Sequence, residues 1–99
     1  MMLRMPAYVI LNIEVTDPER FAEYVKTGAP TLAPYGGRYL VRGGTAEKLE
    51  GGLEPKRVVV IAFDSADRAR AWWASSEYAG PKAVRQSAAL TDTILVEGV

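Results

Sequence analysis

The chain has 99 residues, 48% of them hydrophobic, with 12 basic and 12 acidic side chains that cancel to zero net charge. Neither sign forms a run, so there is no electrostatic footprint for a phosphate backbone or an anionic bilayer, and neither nucleic acid nor membrane is an expected partner. Cysteine and histidine are absent, which excludes disulfides, thiolate nucleophiles, serine–histidine triads, ordinary zinc sites and histidine-ligated haem; no metal and no cofactor is expected.

Chemistry is left to Tyr, Arg, Lys, Asp, Glu, Ser and Thr. A chain of this length makes one domain with little stability to spare, so self-association would help it. Its longest apolar run, Val58–Phe63, is strand-length and far short of the roughly 20 residues that span a bilayer. Met1-Met2-Leu3-Arg4-Met5 carries no small-residue cleavage site, and the expected location is cytoplasmic.

In chain order, Ala7–Val15 alternates as a strand: Ala7, Val9, Leu11, Ile13 and Val15 form one apolar face, and Tyr8, Ile10, Asn12 and Glu14 a mixed one. Thr16-Asp17-Pro18-Glu19 starts a helix, either as a capping box from Thr16 to Glu19 or with Asp17 as cap and Pro18 in the first turn. Phe21, Tyr24, Val25, Gly28, Ala29 and Leu32 then trace one helical stripe, which Pro30 interrupts before Pro34 ends it.

Arg38–Arg42 reads as a second strand between the glycine pairs Gly36-Gly37 and Gly43-Gly44, where sharp, crowded turns can frame a pocket. Thr45–Pro55 is a long polar connection with a short strand expected around Glu47–Leu49. Arg57–Phe63 is apolar at nearly every position, as a central strand is. Asp64-Ser65 caps a second helix whose inner side runs through Ala66, Ala69, Trp72, Trp73 and Ser76. A break at residues 75–78 follows, then a last short helix opened by Pro81 and a final strand, Thr91–Glu97.

This is β-α-β-β-α-β, the ferredoxin-like α+β arrangement, with an antiparallel sheet of order 4-1-3-2. Both helices cover one face. The other face keeps apolar residues and calls for a partner, most economically a second copy packed sheet to sheet.

Several segments together resemble the DUF1330 family: Met5-Pro6-Ala7-Tyr8-Val9-Ile10, Val15-Thr16-Asp17-Pro18-Glu19, Tyr35-Gly36-Gly37-Arg38, Val41-Arg42-Gly43-Gly44, Ala71-Trp72, Ser76-Glu77-Tyr78, Arg85 and Val96-Glu97-Gly98-Val99. The resemblance covers residues 5–99 as one domain and leaves 1–4 as an N-terminal extension before the family's usual start at Met5. It implies a dimeric α+β barrel, in which two ferredoxin-like subunits join their sheets, and implies no reaction. The wider superfamily includes cofactor-independent antibiotic-biosynthesis monooxygenases, muconolactone isomerase-like proteins and haem-binding chlorite dismutases. The histidine-ligated haem branch does not carry over to a chain without histidine.

The residues suggest an Arg/Tyr pocket. A guanidinium presents a planar fork to carboxylate or enolate oxygens, and phenols add donors within an apolar wall. Arg42, beside Gly43-Gly44, is expected to hold an anionic oxygen, Tyr24 or Tyr35 to donate to it, and Glu14 or a tyrosine to act as base. Tyr39, Trp72, Tyr78 and Arg85 complete the expected substrate-binding set. A competing reading packs the tyrosines under the helices and pairs Arg42 and Arg85 with Glu14, Asp92 or Glu97. The expected function is a cofactor-independent isomerase, lyase or monooxygenase acting on a small organic acid or enolisable substrate; the alternative is a non-catalytic binding or accessory homodimer.

Overall fold

A computed structural model describes residues 5–99; the expected extension, residues 1–4, lies outside the described residues. Four strands, β1 (Ala7–Val15), β2 (Arg38–Gly44), β3 (Arg57–Phe63) and β4 (Ala89–Glu97), form one antiparallel sheet in the order β2-β3-β1-β4. Helices α1 (Pro18–Gly28), α2 (Ala66–Trp73) and α3 (Ser76–Ala88) pack on one face of it. The expected α+β architecture and strand order hold. The two most apolar strands are central because only those positions are flanked on both edges. Among the described residues no helix is long and apolar enough to cross a membrane.

The helix-facing side of β1 is Ala7, Val9, Leu11 and Ile13, all buried, and it merges with Val59, Ile61 and Phe63 of β3. Asp17 is the α1 cap: its carboxylate accepts from the Arg20 N–H at 3.2 Å, and Pro18 follows in the first turn. Pro30 ends α1 as its missing N–H requires, and the chain continues as two 3-10 turns, Ala29–Thr31 and Ala33–Tyr35.

Three local expectations are corrected. Residues 75–78 are not a break opened later by Pro81. Ser75 caps α3, its hydroxyl accepting from the Tyr78 N–H at 3.1 Å and donating to the Trp72 carbonyl at 2.7 Å. Pro81 sits inside that helix, where Gly80 before it has no Cβ to clash with the ring. On the inner side of this region the buried serine is Ser75, while Ser76 is exposed. Finally, Glu47–Leu49 forms no strand.

The 45–56 connection is held by side chains instead. Asn12 Nδ2 donates to the Glu54 carbonyl at 3.0 Å, Asn12 Oδ1 accepts from the Lys56 N–H at 2.7 Å, and Lys48 pairs with Glu54.

The other side of the sheet is open. Val41, Val60, Ile10 and Ile94 are successive register partners and form an apolar row across all four strands. Leu90, Ile94 and Val96 on β4 are exposed there, Ile94 at 60%.

Candidate functional site

Between α1, α3 and the sheet lies an aromatic layer with few polar atoms. Trp72 and Tyr78 stack with ring centroids 4.0 Å apart, and Phe63 lies 5.5 Å from Trp72. The Trp72 indole N–H donates to Thr31 Oγ1 at 2.9 Å, and Thr31 in turn donates to the Gly28 carbonyl at 2.6 Å. These bonds satisfy the interior groups that a buried indole brings with it. Trp72 is therefore core, 1% exposed. Trp72, expected to bind substrate, packs inward: Ala66 and Ala69 set the inward register of α2, Trp72 continues it, and Trp73, turned about 100° away, is the one that reaches a cavity.

The hydroxyls of Tyr24 and Tyr78 are 2.9 Å apart. Burial raises the Tyr24 phenol well above its ordinary value, and the neighbouring Tyr78 adds to the shift. Tyr24 is a neutral hydroxyl, a donor or acceptor but no phenolate base. Two hydroxyls sharing one hydrogen bond leave one proton free to donate elsewhere.

Arg85 lies beside this pair on α3, 2% exposed, with its guanidinium carbon 5.7 Å from both the Tyr24 and the Trp73 ring centres. Its Nε and Nη2 are buried without a hydrogen-bond partner. Among the described residues no carboxylate forms an ion pair with it, so the expected pairings of Arg85 with Glu14, Asp92 or Glu97 are absent. A buried guanidinium without a counter-ion is costly, and its unfilled donors face the energetic demand that an anion would meet.

Arg85 lines a cavity of about 360 Å³ with Trp73, Ala89, Thr91 and Thr93. Thr91 Oγ1, across it on β4, is also buried and without a partner. Lys82 donates to the Trp73 carbonyl at 2.7 Å and sits 4.6 Å above the indole, so two cations flank that ring.

The other expected residues are dispersed. Arg42 is exposed on the edge strand, where it lies 4.5 Å over the Tyr39 ring. A one-residue irregularity at Leu40 places both on the helix-facing side; strict alternation from Tyr39 would have put Arg42 on the open one. With Tyr24 and Arg57 they line a cavity of only about 20 Å³, room for one water. Tyr39 is half-buried, and burial raises its phenol against the pull of Arg42 and Arg57.

Glu14 is exposed on the opposite, open face of the sheet. Tyr35 donates to Glu77 at 2.5 Å on the protein surface. That bond raises the Tyr35 phenol and lowers the Glu77 carboxyl. Arg42, Glu14 and Tyr35 do not meet within one chain, and the expected catalytic trio is not assembled there.

Tyr24, Tyr78 and Arg85 are brought together. Sequence reasoning missed Thr91 and Lys82. For Thr91 a signal existed: it alternates with Thr93 and Leu95 on β4, two hydroxyls on the side that faces the helices.

The chain belongs to the DUF1330 family, a domain of unknown function that matches residues 6–99. No curated protein matches it by sequence. Its fold is similar to that of a protein of unknown function from Rhodopseudomonas palustris (TM-score 0.78, 16% identity, covering 98% of this chain and 85% of that one). It is also similar to SnoaB, a cofactor-independent oxygenase from Streptomyces nogalater (TM-score 0.63, 15% identity, 94% and 91% covered). A conserved protein of unknown function from Bacteroides thetaiotaomicron is similar as well (TM-score 0.60, 14% identity, 95% and 97% covered). At these identities the likeness is one of fold.

Proposed function

We propose that this DUF1330 chain is a cytoplasmic, cofactor-independent enzyme that takes a small organic acid or enolisable compound at Arg85. The observation that carries this reading is the buried guanidinium whose Nε and Nη2 have no partner. A carboxylate or enolate oxygen would satisfy them with charge-assisted hydrogen bonds in an apolar wall, where such bonds are strong. Tyr24, held neutral by burial and hydrogen-bonded to Tyr78, leaves the pair a hydroxyl proton to offer that anion. Isomerisation, cleavage and oxygenation of an enolisable substrate all pass through an anion of this kind, and holding it is the step the cluster supports. The fold likeness to a cofactor-independent oxygenase is an analogy in the same direction.

A second reading, a binding protein that does no chemistry, is favoured by one feature: among the described residues no carboxylate is paired with Arg85 to serve as base. The test is proton–deuterium exchange at the α-carbon of a 3-oxo acid, followed by NMR with wild type and Arg85→Met. Faster exchange with wild type only supports catalysis. Retention of the acid without exchange supports the binding reading, and no difference between the two proteins sinks both.

The working unit in this proposal is a homodimer closed through the open sheet face. The apolar row Val41–Val60–Ile10–Ile94 supports it, because an exposed patch of that extent favours association. Native mass spectrometry should show a dimer for wild type and a folded monomer for Ile94→Lys. A wild-type monomer would overturn the assembly.

A further inference from the structure

The cavity that holds Arg85 does not stand alone. Trp73 and Thr93 line it and also line a second cavity of about 430 Å³, which runs on along β4 under α2. The two ends differ in character. At one, Arg85 and Thr91 present buried polar atoms without partners, one from α3 and one from β4. At the other the walls are Val9, Ala69, Ala74 and Leu95, and the one cation among the described lining residues, Arg70, is already bonded to Asp67 at 3.1 Å. Trp73 stands between the ends with Lys82 and Arg85 on its ring, which keeps the positive potential at the polar end.

The geometry points to a monocarboxylic acid with an extended apolar body as the ligand class of this groove. Its carboxylate sits on Arg85 and Thr91, and its chain or ring system passes Trp73 to lie between α2 and β4. This inference rests on the anion site proposed above and adds polarity and length to it. Charge complementarity sets the head: an unpaired guanidinium and, across the same cavity, a free hydroxyl fit one carboxylate, with two N–H groups and one O–H as donors. The apolar walls set the tail. A dicarboxylate would leave its second charge against Val9, Ala69 and Leu95 without a partner, which disfavours that class.

Isothermal titration of the full-length protein with acetate, butanoate, hexanoate, octanoate and 1-octanol tests this without any variant. Affinity should tighten about fourfold per methylene along the acids, and octanol, with the same tail but no charge, should bind at least tenfold more weakly than octanoate. Arg85→Met should bring octanoate down to the level of octanol. Ala74→Phe, which narrows the apolar end, should abolish the gain with chain length.

If the acids bind through Arg85 with no dependence on length, the anion site stands and the extended groove is refuted. Equal binding of octanol and octanoate overturns the assigned polarity. Binding of none of the probes overturns both this inference and the anion site beneath it.

Discussion

The hydroxyl oxygens of Tyr24 and Tyr78 lie 2.9 Å apart, one on α1 and the other on α3, 54 residues later in the chain. With the surface bond from Arg20 Nε to Ser87 Oγ at 3.1 Å, they fix how the two helices lie against each other over the sheet. The pair also makes stability depend on alkaline pH. Burial favours the neutral phenol, so the folded pKa of Tyr24 stands above the ordinary 10.0. The unfolded chain then releases its proton first. The contribution is full below pH 10 and is lost as pH rises above it, by at most about 1.4 kcal/mol per pH unit for one group. Urea midpoints at pH 8 and pH 11 should fall less for Tyr24→Phe than for wild type, although the variant is about 1 kcal/mol less stable at pH 8. Parallel losses in the two proteins would refute the assignment.

The two tryptophans should separate in thermal melts. Trp72→Ala removes a buried stack and leaves Thr31 without its indole donor, a loss of about 3–5 kcal/mol. Trp73 is only partly buried, and Trp73→Ala should cost about 1 kcal/mol. The reverse order would mean that the register of α2 is wrong.

Asn12 should govern the long connection before β3. Asn12→Ala removes both of its bonds to residues 54 and 56, at a cost of about 1–2 kcal/mol. Amide hydrogen exchange should speed up in residues 50–56 and stay unchanged in β1 and β4. Unchanged exchange in the connection would show that Asn12 does not hold it.

Tyr35 and Glu77 form a surface clasp between the second 3-10 turn and the start of α3. The hydrogen bond from Tyr35 lowers the Glu77 carboxyl, so its contribution is present at neutral pH and is lost as pH falls through the folded pKa. NMR titration should find the Glu77 carboxyl higher in Tyr35→Phe than in wild type. Equal titration would remove the clasp.

Much of the fold was legible in single residues. β1 and β3 have the bounds that alternation and apolar run length predict, and Asp17 caps α1 with Pro18 behind it. Those features follow from side-chain periodicity and from local backbone chemistry, which act over a few neighbours. Where two local signals competed, sequence reading failed: Ser75 caps a helix that runs on through Pro81, because packing of its inner face at Tyr78, Arg85 and Ala88 offsets the proline's missing N–H.

By itself, then, the chain determined the β-α-β-β-α-β order, the helix-facing apolar surface, and a chemistry confined to tyrosine, arginine and carboxylates. Tertiary structure alone decided which of those groups meet. Arg42 and Arg85 look alike in sequence; an irregularity at Leu40 turns Arg42 to the helix-facing side of an exposed edge strand, beside Tyr39, while helix packing seals Arg85 with no counter-ion among the described residues. The same holds for Trp72 and Trp73, which one helical step sends to the core and to the groove. Burial and pairing are sums over contacts from distant segments. No local pattern carries that information, because the partners are chosen only when α1, α3 and β4 close on one another.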